Sequence, residues 1–192
     1  MKYIENTIQL FEYYKHLGDR SLDQIPDEKL NWQPNEESNS MAMIVKHMAG
    51  NMLSRWTDFR TSDGEKTWRN REAEFDNDLK TRAEIIAYWN KGWTVLFEAL
   101  RPIADEELDQ MVYIRNQGHT IVEAANRQLG HYAYHVGQMV FLAKMIQNTD
   151  WESLSIPKGK SKAYNDDKFS KEKSKQHFAS EFIKNGDEQS ST

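Results

Sequence analysis

The sequence predicts an all-α protein built as a four-helix bundle with long connections. Four segments carry apolar residues at steps of three and four, which is the period of an amphipathic helix. Residues that favour helix starts precede three of these segments, at Ser40, Thr81 and Thr120. The connections are longer than a minimal bundle needs, which is typical of loops that carry function.

The first two helices are predicted over about 2–20 and about 40–60. Ile4, Ile8 and Phe11 define the apolar face of the first. Residues 21–39 contain Pro26 and Pro34 among polar residues, so we expect a connection there, with one turn of helix at Asp27–Leu30. The segment Ser38-Asn39-Ser40 supplies the N-cap of the second helix.

The third and fourth helices are predicted over about 82–101 and about 120–147. Residues 61–80 are highly charged, contain Gly64 and show no period, so they are expected to form a loop. Pro102 lies just beyond the end of the third helix. Thr120 with Glu123 has the pattern of a capping box. A β-branched run followed by Asn-Gln-Gly predicts an extended excursion or small hairpin within 111–119.

The domain is expected to span 1–164 and to be followed by a polar, mobile tail over 165–192. Lys, Asp, Ser and Glu dominate the tail, and one helical stretch is possible over Ser170–Ile183. The apolar residues of Trp151–Gly159 need a surface on which to pack, so this segment is expected to be ordered.

Composition excludes several classes of function. The net charge of −5 gives no case for binding nucleic acid. No run approaches the ~18 apolar residues that a membrane span requires. An acidic residue, Glu5, precedes any apolar stretch, so we expect no signal peptide and a cytoplasmic location. The chain has no cysteine, so a metal site must use nitrogen and oxygen ligands and any thiol must be external.

Of six histidines, His131 and His135 stand out because they lie one turn apart on the fourth helix. Two imidazoles at this spacing can bind one metal ion, or they can belong to a hydrogen-bond network. Arg127 and Gln138 fall close to them on the same face. Tyr132, rather than glutamate, follows His131, so the zinc-protease motif is absent.

His47 lies in the middle of the second helix, on a face with Asn51 and Asp58. The apolar residues of this helix favour another face, so the pattern alone predicts that His47 is a solvated surface residue. The other histidines are interpreted as structural or surface residues. They are His16, His119 and His177.

Several segments together resemble the DinB-like superfamily, which includes the YfiT-like proteins. The resemblance covers about 1–165: a long loop, a helix with one central histidine (Ser40–Met52), a Trp-rich third helix, and Gly130–Met139 with His131 and His135. The segment Trp151–Ser161 is similar to a branch known only as a domain of unknown function. The resemblance implies a four-helix bundle that binds one metal ion through His47, His131 and His135, and it implies possible dimerisation.

Three neutral imidazoles leave a divalent ion its full charge and an open coordination position, as in catalytic sites. Imidazole suits zinc, nickel, iron and copper alike, and the expected ion is zinc, nickel or iron. Two reactions fit, namely hydrolysis and transfer of a low-molecular-weight thiol onto an electrophilic small molecule. A non-catalytic metal- or ligand-binding stress-response protein is the alternative, and a metal-free bundle is a third. Positions on the helical wheel predict which residues orient the ligands or bind substrate. They are Asn51, Asp58, Arg127 and Gln138.

Overall fold

A computed structural model describes residues 2–183 of the chain, and these residues are mostly helical. The structure contains four long helices, a short fifth helix after them and a two-stranded antiparallel hairpin, which agrees with the predicted all-α class. The helices are α1 (Tyr3–Gln24), α2 (Met41–Trp56), α3 (Arg82–Leu100), α4 (Ile121–Gln147) and α5 (Ser161–Phe169). The strands are β1 (Met111–Ile114) and β2 (Gln117–Thr120).

The predicted helix starts are confirmed by their caps. The Ser40 hydroxyl accepts a hydrogen bond from the backbone N–H of Met43 at 3.2 Å. Thr81 and Thr120 each form a capping box with a glutamate three residues later. These contacts satisfy N–H groups that have no partner within the helix, and so define where α2, α3 and α4 begin.

Two predicted helix ends are wrong. Helix α1 continues to Gln24 because buried Ser21 and Leu22 extend its packed face, and the Ser21 hydroxyl bonds to the Leu17 carbonyl at 2.8 Å. Helix α2 stops at Trp56 rather than near residue 60. Asp58 has a φ of 47°, a left-handed conformation that no α-helix accommodates.

The core is formed where α2 packs on α3 and α1 packs on α4. The buried ring of Tyr132 lies at its centre, 5.8 Å from the Phe11 ring and 5.9 Å from the Trp93 ring. A Cβ added at Gly92 would lie 2.8 Å from Cα of Ala49, so the glycine permits close approach of α2 and α3. The two histidine-bearing helices, α2 and α4, are therefore both packed into this core.

The connection between α2 and α3 folds back over α2. A short 3-10 turn, Glu72–Phe75, packs on the helix. Lys46 on α2 donates hydrogen bonds to the Ala73 carbonyl and, at 2.6 Å, to the Asp78 carboxylate. As a result 14 of the 16 residues of α2 are buried, including those on the side for which the sequence pattern predicts solvent.

The predicted hairpin is present, but its turn lies at Arg115 and Asn116 rather than at Asn-Gln-Gly. Both turn residues have positive φ, 55° and 60°, as the commonest two-residue hairpin turn requires. The Asp63 carboxylate accepts the backbone N–H groups of both residues at 2.8 Å. A side chain distant in the sequence therefore holds the turn, which the local pattern cannot indicate.

The C-terminal segment lies partly against α1. Trp151 packs on the core, as expected for its segment, and the predicted boundary at residue 165 falls inside α5. Residues 170–178 are not helical and 179–183 are, so the possible single helix over 170–183 is not formed. The ring of Tyr13 lies 5.2 Å from Phe178 and 5.9 Å from Phe182. Independent motion of 165–192 stays a prediction, and 184–192 lie outside the described residues.

None of the helices within residues 2–183 is both long enough and apolar enough to cross a bilayer.

Candidate metal centre

Three histidine side chains meet between α2 and α4. Nε2 of His131 lies 3.4 Å from Nε2 of His47 and 3.1 Å from Nε2 of His135. The ligand nitrogens of the three residues all lie within 4.8 Å of one another. The group has the composition and compactness of a site for one metal ion.

His47 is only 6% exposed, so its predicted position on a solvated surface is wrong. The helical wheel assumes that one side of α2 faces water, whereas the 3-10 turn Glu72–Phe75 covers that side. The Phe75 ring stacks on the imidazole of His47 with 5.1 Å between ring centroids. His135 is 9% exposed, so two of the three imidazoles are shielded from solvent.

Acceptors outside the group orient two of the imidazoles. The Glu74 carboxylate accepts a hydrogen bond from Nδ1 of His47 at 2.9 Å, and Gln138 Oε1 accepts one from Nδ1 of His135 at 2.7 Å. With the protons on Nδ1, both Nε2 atoms present lone pairs towards His131. Hydrogen bonding at the far nitrogen is the usual way in which proteins fix the tautomer of a metal-binding histidine.

A hydrogen-bond network accounts for this arrangement less well than a metal does. A proton on Nε2 of His131 can satisfy one neighbouring lone pair but leaves the other facing it. A cation at the centre satisfies all three nitrogens. Ligands about 2.0–2.1 Å from a tetrahedral ion lie about 3.3 Å from one another, close to the two separations that involve His131, 3.1 and 3.4 Å, and all three ligand nitrogens lie within 4.8 Å of one another.

Glu74 is itself held by a buried arginine. Arg69 donates from Nε to Glu74 Oε1 at 2.7 Å and from Nη2 to Oε2 at 2.9 Å. Burial alone would raise the pKa of Glu74, but hydrogen bonds from His47 and Arg69 and the charge of Arg69 lower it below its ordinary value. Glu74 is therefore a fixed carboxylate that keeps its charge. Sequence reasoning missed it because it lies in a charged loop without periodicity.

The imidazoles of α4 favour their neutral form. Burial, followed by the nearby His135, lowers the pKa of His131 to about 3. Burial also lowers the pKa of His135 to about 4, against the hydrogen bond to Gln138, which favours the charged form. Neutral imidazoles are the form in which histidine binds metals.

The other predicted site residues differ in how close the structure brings them to the histidines. Gln138 contacts His135, as described above. Asn51 is buried, and its side-chain oxygen accepts a hydrogen bond from the Tyr132 hydroxyl at 3.0 Å. Asp58 is exposed beyond the end of α2, so it does not lie on the helical face of His47 as expected. Its expected place beside His47 is taken by Glu74.

Arg127 lines a cleft that opens beside the group. The cleft has a volume of about 270 Å³, and His47, His131, Asn51 and Gln128 form part of its wall. Arginines from α2, from the loop after it, from the hairpin turn and from α4 form the remainder. They are Arg55, Arg69, Arg71, Arg115 and Arg127. The histidine group is therefore accessible from solvent through this cleft.

The family described as "Protein of unknown function (DUF1572)" matches residues 1–160. The chain belongs to this family. A search of curated proteins gives no significant match. The family has no established function, so the chemistry of the site must be argued from its residues.

Proposed function

We propose that this protein is a DinB-like four-helix bundle that holds one divalent cation, zinc, nickel or iron, through His47, His131 and His135. The convergence of three Nε2 atoms between α2 and α4 carries the proposal. Support comes from the two acceptors, Glu74 and Gln138, which direct the lone pairs of His47 and His135 inward.

We further propose that the site is catalytic. Structural zinc sites are closed by four protein ligands, whereas three histidines beside an open cleft leave a position for water or substrate. A divalent cation in such a site acts as a Lewis acid and lowers the pKa of a bound water or thiol towards neutrality. The reaction is then hydrolysis or transfer of a low-molecular-weight thiol to a small electrophile.

The surroundings of the histidines favour activation of the nucleophile at the cation over activation by a side chain. Glu74 is a carboxylate in contact with the three-histidine group, and it is engaged by Arg69 and His47. A carboxylate held in this way, with a lowered pKa, is a poor proton acceptor. The absence of cysteine requires any reacting thiol to be external.

The proposal also includes the partners and location expected from the sequence, namely a small-molecule substrate, a homodimer and the cytoplasm. An exposed apolar stripe on α4 is consistent with pairing of two copies. It consists of Tyr134, Phe141 and Met145, which are 63%, 68% and 43% exposed.

Metal analysis of the purified, untagged protein tests the site. We expect about one ion per chain in the wild type and its loss in His131→Ala. A His119→Ala variant is the matched control, because His119 lies on the hairpin and outside the histidine group. Wild-type protein that binds no zinc, nickel or iron, even after incubation with their salts, would refute the proposal.

A second experiment tests catalysis. The metal-containing protein is screened with thiol plus electrophile pairs and with hydrolysable esters and amides, beside His135→Ala. Turnover that disappears in this variant while the fold persists supports an enzyme. Stoichiometric metal without turnover on any class supports a non-catalytic metal- or ligand-binding protein instead.

A further inference from the structure

The cleft beside the histidine group is strongly cationic in an otherwise acidic protein. Five arginines line it, and no Asp or Glu within residues 2–183 does so. The whole chain carries a net charge of −5. Concentration of guanidinium groups around one small opening is thus specific to this place and not a reflection of composition.

Three of the arginines share one carboxylate. Glu65 Oε2 lies 3.1 Å from Arg55 Nη1, 3.4 Å from Arg69 Nη1 and 3.2 Å from Arg115 Nη2. Arg69 also binds Glu74, as described above. One carboxylate charge therefore faces three guanidinium charges. Burial alone would raise the pKa of Glu65, but the three arginines lower it below its ordinary value.

The other two arginines are less neutralised. Arg71 lies 3.3 Å from the carboxylate of Glu72, which is 88% exposed. Arg127 forms no ion pair in the described part of the chain, and its Nη1 lies 3.1 Å from Nε2 of His119. The five guanidinium groups thus have three carboxylate partners among them, Glu65, Glu72 and Glu74, none of which lines the cleft. The cleft is left with an excess of positive charge before any metal ion is counted.

Two buried polar atoms of the wall also have no hydrogen-bond partner among the described residues. They are Arg55 Nε and Gln128 Oε1, on residues that are only 7% and 3% exposed and that line both this cleft and a much smaller cavity beside Trp56 and Val112. Buried polar groups are normally paired, so these two residues are available to hydrogen-bond with a ligand that enters the cleft. A half-turn of the Gln128 carboxamide would present its NH₂ group, so both residues can act as donors.

We propose that this cleft binds an anionic oxygen group, a carboxylate or a phosphate, of the substrate. Arginine guanidinium groups match such oxygens in geometry as well as in charge. Arg127 lies one helical turn before His131 on α4, so a ligand held there extends towards the histidine group. The term substrate rests on the proposed function, whereas anion binding by the arginines does not depend on a metal ion.

Calorimetric titration of the metal-free protein with inorganic phosphate and with succinate tests the proposal. At low salt, we expect at least one probe to bind, and Arg127→Gln and Arg71→Gln each to weaken it about tenfold, as expected for loss of one charged hydrogen bond. Both side chains are exposed, so the fold should persist. Arg101→Gln is the control, because Arg101 pairs with Glu12 and does not line the cleft.

Each outcome of the titrations either supports or overturns the proposed anion cleft. Binding of phosphate alone or succinate alone assigns the group, provided that both cleft variants weaken it. No binding of either probe, or equal weakening by Arg101→Gln, overturns the proposal. Metal content is measured on the same preparations before the metal is removed: a chain that contains metal as purified but binds neither probe refutes the anion cleft only, and one that binds a probe but never takes up a metal refutes the proposed function only.

Discussion

At the scale of single residues, the orientation of His47 depends on a short chain of contacts that ends at Arg69. Arg69 holds Glu74 with two hydrogen bonds, and Glu74 holds Nδ1 of His47. A Cβ added at Gly50 would lie 2.3 Å from Glu74 Oε1, so this glycine makes room for the carboxylate against α2. His47 is thus positioned by residues that lie outside the three-histidine group.

Replacement of Glu74 by glutamine tests this chain of contacts. The amide oxygen can still accept from His47, but the negative charge that binds Arg69 and favours a basic imidazole is lost. We expect zinc affinity to fall by about 10- to 100-fold, the usual effect of removing a residue that orients a ligand. Competition with a chromophoric chelator measures it.

Glu72→Gln is the matched control, since Glu72 is 88% exposed, lies two residues away and pairs only with Arg71 in the described residues. It should bind zinc like the wild type. Equal affinities of all three proteins would show that Glu74 does not support His47.

At the scale of elements, the distance between α2 and α3 is limited by Gly92. The nearest atom to an added Cβ is a backbone atom, Cα of Ala49, at 2.8 Å, so relief requires the helices to move apart. Met52 Sδ, at 3.1 Å, would be crowded as well. Because α2 carries His47, this packing links the stability of the core to the geometry of the site.

We therefore expect Gly92→Ala to destabilise the protein by about 1–3 kcal/mol, as overpacking of a core usually does. Gly137→Ala, also inside a helix, has no atom within 4 Å of the added Cβ. It should stabilise α4 by about 0.5–1 kcal/mol through helix propensity. Urea unfolding compares the two, and a Gly92→Ala variant as stable as Gly137→Ala would contradict the steric argument.

At the scale of the whole molecule, local sequence signals are sufficient to predict the helices, but they do not predict which residues surround the histidines. The caps at Ser40, Thr81 and Thr120 each involve residues three positions apart, and His131 and His135 are four positions apart. Such local signals are visible in the sequence. Glu74 reaches His47 across 27 residues, through a loop whose path depends on tertiary packing. The same loop covers α2, and this is why a helical wheel placed His47 in solvent.

The arginine cleft shows the same limit. Its arginines come from α2, the following loop, the hairpin turn and α4, so no segment of the sequence displays the cluster. Arg127 was singled out because it shares a helix with the histidines. The others were not, because their proximity depends on how the hairpin and the loop meet at Asp63.

The pH dependence of stability in the metal-free protein tests the burial of the histidine group as a whole. The pKa values of His131 and His135, about 3 and about 4, lie below the ordinary 6.5. The unfolded chain therefore binds protons at a higher pH than the folded chain. Their contribution to stability is fully present above pH 6.5 and is lost as the pH falls from there towards 4 and 3.

We expect the free energy of unfolding, from urea titrations without metal, to fall between pH 7.5 and pH 5. The slope is at most about 1.4 kcal/mol per pH unit for each histidine, and less where solvent screens the half-buried His131. Carboxylates such as Glu74, with an ordinary pKa of 4.5, contribute below this window. The double variant His131→Ala/His135→Ala should show a shallower slope. A wild-type free energy that stays constant from pH 7.5 to 5 would mean that the imidazoles are not buried as neutral groups, and the proposed metal site would lose its main electrostatic support.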